Sequence, residues 1–240
     1  MNLLRVILLL IFFITPLKAN TIYNLIKIPN LEIYEINTKN KLKYFYAVRP
    51  FRLGVQKNIV CLNSNKKDYD QKYKIINKNL NRYSYDFLKR ANLKYVVMCE
   101  NLSISEINTA GIPNNTMKTL ILDIKFDDRY FERVIHHEVF HIINDNFKKF
   151  FKESEWIILN KENFRYAKCS TCSDKLGLNT YSNTDGFVTE YSKTTPSEDM
   201  AEVFSHLMLN IKTFDNDPIL KKKKEFIIKN ILKIDNTFKF

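Results

Sequence analysis

The chain reads as an α+β domain in which a small mixed β-sheet is combined with a handful of helices. Three observations predict this. Short apolar and aromatic runs at residues 31–36, 42–48, 58–62, 94–99 and 119–124 have the length and β-branched content of strands. Residues 133–143 form a longer apolar run that carries His137-Glu138-Val139-Phe140-His141 at helical spacing. Residues 195–206 open like a capped helix and repeat polar groups every four residues.

In chain order, Arg5 precedes an unbroken apolar run at 6–14, which Thr15-Pro16-Leu17-Lys18-Ala19 ends. A positive start, a short apolar stretch and a small residue before the cut predict a signal peptide over 1–19. The run is too short to span a bilayer comfortably. An exported protein, periplasmic or extracellular and without stable membrane insertion, is therefore expected. Residues 20–62 read as the β-rich N-terminal part of the domain. Strands are expected at 22–28, 31–36 and 42–48, broken by Pro29-Asn30, by 37–41 and by Pro50. The region 63–240 carries the rest. Tyr73, Ile76, Leu80, Tyr83 and Phe87 predict one helix over 69–90, which contains neither Pro nor Gly. A strand at 94–99 is followed by a loop at 103–116 with Gly111 and Pro113, then by a strand at 119–124. A short helix is expected at 150–159 and an irregular stretch at 160–188. Helices at 196–212 and 219–232 complete the order. No internal repeat or low-complexity linker divides the chain.

The formal charge is +12, and losing Arg5 and Lys18 with the leader leaves +10. The lysines are spread along the sequence, and the densest run, 221–224, opens a helix, where it reads as a solvated face. Nucleic acid is not expected as a partner. The four cysteines follow a leader and are even in number, which suggests disulfides. Cys61 and Cys99 both lie in strand-like runs and could pair across a sheet. Cys169-Ser170-Thr171-Cys172 lacks a second ligand pair for structural zinc, and no helix follows it as a thioredoxin-like motif would need. A local disulfide is expected there.

The chemistry is concentrated in H-E-x-x-H. Residues four apart on a helix share a face, so His137 and His141 can grip one metal ion with Glu138 beside them. His136 points about 100° away from His137 and reads as a packing residue. Zinc held by two histidines needs a third protein ligand and an open position. A Gly three and a His six residues after the second histidine would supply one such pattern, but those positions hold Asn144 and Phe147. A later helix is the alternative source. Thr195 can cap it, with Pro196 at its first position and Glu198 at its third. Glu198, Glu202 and His206 then form one polar stripe on a helix otherwise apolar at Met200, Val203, Phe204 and Leu207.

The two segments HHEVFHIIND and EYSKTTPSEDMAEVFSHLM resemble zinc metallopeptidases of the anthrax lethal factor type, and still more the secreted bacterial zinc-binding metallopeptidases. In that family a Tyr precedes the ligand Glu by seven residues, and A-E-x-F follows it. Tyr191, Glu198, Ala201-Glu202 and Phe204 match, and the resemblance extends over about 131–208. It implies a zincin-like fold for 63–240, with a small sheet above, helices below and the cleft between them. It also implies one Zn2+ per chain on His137, His141 and Glu198, with Glu138 as general base and Tyr191 supporting the developing oxyanion. Glu202 and His206 would stand behind the ligands, Glu202 orienting a histidine. The 160–188 stretch would wall the cleft, and a strand near 110–112 or 119–124 would line it for an extended substrate. Phe140 departs from the lethal factor helix, which has a small residue there. The activity implied is zinc-dependent hydrolysis, most simply by an endopeptidase acting on protein or peptide. A non-enzymatic, zinc-stabilised binding protein that retains the fold is the alternative, and an adhesin working through its charge is a third reading.

Overall fold

The computed structural model describes residues 22–23, 26–171, 177–212, 214 and 216–240. The leader at 1–19 and Cys172 lie outside the described residues. Among the described residues eight strands form one mixed sheet: β1 (Leu31–Glu35), β2 (Lys43–Ala47), β3 (Phe51–Leu53), β4 (Ile59–Leu62), β5 (Tyr95–Ile104), β6 (Ile107–Asn108), β7 (Gly111–Asn114) and β8 (Thr119–Asp123). The helices are α1 (Lys66–Leu80), α2 (Tyr85–Arg90), α3 (Asp128–Asn146), α4 (Glu153–Ile157), α5 (Pro196–Met208) and α6 (Pro218–Ile234). This is an α+β arrangement with a mixed sheet.

The long strand β5 is the spine. Its first half runs parallel to β2 on one side and β8 on the other. Its second half pairs antiparallel with β4 and folds back on β6. β7 pairs antiparallel with β8 and forms that edge of the sheet. All five residues of β8 are buried, as a parallel strand covered on both faces requires. Side chains alternate between two cores. Val96, Met98, Leu120 and Leu122 face the helices, whereas Tyr95, Val97, Cys99 and Ile121 face a smaller core with Phe45 and Phe51.

Several expectations are corrected. Ile22, Tyr23 and Ile26 are helical rather than extended, with the Lys27 amide donating to the Tyr23 carbonyl at 2.7 Å. The single helix expected over 69–90 is two, because Ser84 caps a new one by accepting the Phe87 amide. The loop expected at 103–116 holds the end of β5 and all of β6 and β7. The helix carrying His137 starts as an Asp127 cap predicts, the Asp127 carboxylate accepting the Arg129 amide at 2.9 Å, and it extends beyond the apolar run at both ends. The helix expected over 196–212 ends at Met208. Cys61 and Cys99 are joined by a disulfide, Cα–Cα 5.8 Å, between β4 and β5. Cys169 is also disulfide-bonded.

Candidate metal centre

The turn from β8 into α3 is set by Asp123, whose carboxylate accepts the amides of Asn101, Leu102 and Lys125 at 3.2, 3.1 and 2.9 Å. Helix α3 then runs under the sheet and packs along α5. This brings the two halves of the predicted site together. His137 Nε2 lies 2.9 Å from Glu198 Oε2, His141 Nε2 lies 3.1 Å from the same oxygen, and the two nitrogens are 3.0 Å apart. Ligands about 2.0–2.1 Å from a tetrahedral zinc stand about 3.3 Å from one another. Two imidazole nitrogens and a carboxylate oxygen in so tight a triangle are a donor set that fits such an ion.

The groups behind the triangle fix its orientation. His137 Nδ1–H donates to Glu202 Oε1 at 2.9 Å, which leaves Nε2 with its lone pair toward the centre. Glu202 Oε2 accepts the Thr189 hydroxyl at 2.9 Å and has the Arg133 Nε at 3.8 Å. Burial opposes ionisation of Glu202, but His137 and Arg133 outweigh it and hold its carboxyl at about 2. Burial likewise opposes a charge on His137, yet Glu198 and Glu202 raise its pKa to about 10. The two carboxylates thus draw positive charge to the spot, and a metal taking it would displace that proton. His206 stands one residue further out. Its Nδ1–H donates to the Glu202 carbonyl at 2.8 Å and its Nε2 faces the Thr180 hydroxyl at 3.1 Å. His136 is a packing residue, held between the Tyr83 phenol at 2.6 Å and Asn79 Oδ1 at 3.0 Å.

Glu198 is delivered by the start of α5. Its amide donates to the Thr195 hydroxyl at 3.2 Å, so one half of the capping box forms while the Glu198 side chain turns to the histidines. The next residue anchors that turn. Asp199 Oδ2 accepts Trp156 Nε1, the Tyr166 hydroxyl and the fully buried Lys223 ammonium at 2.9, 2.5 and 2.6 Å. Glu198 is therefore fixed by α4, the 160–188 stretch and α6 together.

Glu138 and Tyr191 complete the cleft. Burial raises the Glu138 carboxyl to about 7. Tyr191 opens a 3-10 turn (Tyr191–Lys193) just before α5, its ring 5.9 Å from that of His137. Burial, with Glu198 and Glu138 nearby, pushes its phenol well above the ordinary value, so it stays a proton donor. The edge strand β7 lines the cleft through Gly111, Ile112 and Pro113. Of the two strands expected there, this is the outer one, since β8 is covered. Gly111 is needed sterically: a Cβ at this position would fall 2.6 Å from Glu138 Cγ and 3.1 Å from its Cδ. Toward the other side the wall is apolar, with Ile104 and Ile107 from the β5–β6 hairpin, Phe126, Val134 and Leu178. Ser170 and Thr171, inside the C-x-x-C motif, also reach this wall. Gly111, Thr189 and Arg133 were not singled out by sequence, because nothing local distinguishes them.

Residues 81–233 match the family described as "Putative zinc-binding metallo-peptidase". The fold is similar to a crystal structure from Bacteroides caccae, itself called a "putative zinc-binding metallo-peptidase", with TM-score 0.50 and 19% identity over 95% of this chain and 89% of that one. At this identity the likeness bears on the fold alone. No curated protein matches the chain.

Proposed function

Since the chain belongs to the family described as "Putative zinc-binding metallo-peptidase", we propose that it is an exported zinc-dependent endopeptidase acting on protein or peptide substrates. The observation that carries this reading is the convergence of His137, His141 and Glu198 beside Glu138 and Tyr191 in one cleft. His137, His141 and Glu198 would hold one zinc. When bound, zinc supplies Lewis acidity and brings the pKa of water to about 7. A Glu138 carboxylate oxygen takes the proton of the attacking water and passes it to the leaving amine nitrogen. The Tyr191 hydroxyl donates to the carbonyl oxygen as negative charge grows there. Glu202 keeps His137 in the correct tautomer, and the free edge of β7 pairs with the backbone of an extended substrate. Export is supported by Arg5, the 6–14 apolar run and Ala19, and the Cys61–Cys99 disulfide suits an oxidising compartment. Among the described residues no helix is long and apolar enough to cross a membrane.

The test measures zinc by elemental analysis and turnover of a mixed peptide library in wild type, Glu198→Ala and Glu138→Gln. One zinc per wild-type chain is expected, with much weaker retention in Glu198→Ala. Glu138→Gln should keep its zinc while turnover falls by roughly 10²–10⁴-fold. Undiminished turnover in zinc-replete Glu138→Gln would remove Glu138 from the chemistry. Zinc without any peptide turnover in wild type would favour the zinc-stabilised binding protein.

A further inference from the structure

The lysines that are scattered in sequence are not scattered in space. Lys43 opens β2, while Lys94 and Lys118 immediately precede β5 and β8. The Lys43 amide donates to the Lys94 carbonyl at 3.0 Å and the Lys94 amide to the Lys118 carbonyl at 2.9 Å. Lys94 and Lys118, each one residue before the paired Tyr95 and Thr119, are neighbours about 4.8 Å apart, and Lys43, level with Tyr95, stands in the next row at the entrance of the parallel strands. Lys41, from the preceding turn, and Lys89, from α2, join them around a single pocket, where the Lys41 ammonium sits 4.3 Å from the centre of the half-exposed Tyr85 ring. No carboxylate lines this pocket. Asp86, in the first turn of α2, is not part of its wall. The adjoining hollow adds Lys39 and Arg82, again without an acid.

What sets these lysines apart is their gathering around one concave pocket, since other surface lysines, Lys221, Lys222 and Lys229 among them, also lack a carboxylate partner among the described residues. Lys72, Lys78, Lys125, Lys148, Lys152 and Lys161 each have a carboxylate within ion-pair reach. Among the described residues none of the five pocket lysines has one. Like charges on neighbouring strands repel, and among the described residues no carboxylate offsets them here. We propose that this pocket is a second ligand site, which takes a compact phosphate-bearing anion. Phosphate carries more than one negative charge on a small group, and lysine ammoniums bind it as mobile point charges. A monovalent carboxylate would leave most of the positive charge uncompensated. The site is separate from the metal centre: it lies at the N-terminal ends of β2, β5 and β8, whereas Gly111 pairs with Leu122 toward the opposite end of β8.

The experiment uses the zinc-loaded full chain at physiological salt. Inorganic phosphate binding is measured by calorimetry, and sedimentation is measured with mixed phosphatidic acid–phosphatidylcholine vesicles against pure phosphatidylcholine. Phosphate binding alone identifies a free anion as the ligand, and sedimentation with the mixed vesicles alone identifies a lipid headgroup. The variant Lys43→Gln/Lys94→Gln/Lys118→Gln should bind roughly tenfold more weakly or worse. Lys41→Gln/Lys89→Gln, which leaves the strand entrances untouched, should weaken binding in the same direction. Lys221→Gln/Lys222→Gln/Lys229→Gln, with an equal loss of charge on α6, should not. Glu198→Ala should bind as wild type does. The proposal is overturned if neither probe binds wild type, if the α6 variant loses as much as the pocket variants, or if binding disappears with Glu198 and survives loss of the pocket lysines.

Discussion

Gly111 and Glu138 meet so closely that the side chain proposed as the general base is positioned partly by the lack of one opposite. A methyl group at residue 111 would fall 2.6 Å from Glu138 Cγ and 3.3 Å from Leu122 Cδ2, so either the carboxylate or the edge strand must move. Displacing a reacting group by about 1 Å costs on the order of 10²-fold in rate. Gly111→Ala is therefore expected to lower kcat by about that factor while zinc content stays at the wild-type level, since the atoms nearest the added methyl belong to Glu138 and Leu122 and not to a ligand residue. Loss of zinc together with activity would mean that the strand, not Glu138, had been displaced. His137, His141 and Glu198 were legible in the sequence because the four-residue spacing and the Thr195-Pro196 start each dictate a local geometry. Gly111 was not legible. Its importance depends on which side chain faces it, and that is decided by β7 pairing with β8 many residues before α3 begins. Thr189 and Arg133 escaped for the same reason, since each gains its meaning only from Glu202.

Among the elements, the helices that were read well carry their own start signals. Thr195-Pro196 opens α5 and Asp217-Pro218 opens α6. The misread segments lacked such signals or carried ones that were overlooked. Ser84 caps α2 inside what looked like continuous periodicity, and β6 and β7 are too short to show a period. Asp217 does more than start a helix. Its carboxylate accepts the amides of Ile219 and Leu220, and also the Thr184 hydroxyl and the Gly186 amide from the irregular stretch. Burial opposes its ionisation, but these donors outweigh it and hold the carboxyl below its ordinary value. A depressed carboxyl pKa contributes stability that is complete above about pH 4 and disappears as pH falls through the lower folded value. Asp217→Asn, which keeps a capping oxygen but makes these charge-assisted hydrogen bonds neutral, should cost about 1 kcal/mol at neutral pH. The gap in melting temperature between the two proteins should hold steady from neutral pH down to about pH 5 and close below about pH 4. A gap that stays constant into strong acid would show that charge at Asp217 contributes nothing.

On the scale of the molecule, the two cores divide the structural load. The smaller one is closed by β3, β4 and the Cys61–Cys99 disulfide, a link the strand-like runs around both cysteines already suggested. The larger one gathers the helices, and the candidate metal centre sits where α3 meets α5 within it. The topology itself was beyond the sequence, because β5 serves two sets of neighbours with its two halves, and no local pattern announces that. The division has a consequence for metal removal. With zinc bound, Glu198 at the first turn of α5 is tied to both histidines of α3. Without it, the buried charge of Glu198 is offset by His141 and His137, and that of Glu202 by His137 and Arg133. A ligand present at about 1,000 times its Kd stabilises the folded state by about 4 kcal/mol, and that energy is spent where the ligand attaches. The strands Lys43–Ala47 and Tyr95–Ile104 are held by their own ladder of hydrogen bonds. Chelation should therefore raise amide exchange first in Pro196–Met208 and in the Tyr191–Lys193 turn, while Val96, Val97 and Met98 exchange as slowly as before. Hydrogen-exchange mass spectrometry with and without chelator reads this directly. Uniformly faster exchange would make zinc a staple for the whole fold. Unchanged exchange in α5 would mean that Glu198 bears none of the metal's stabilising energy, and its place as the third ligand would have to be given up.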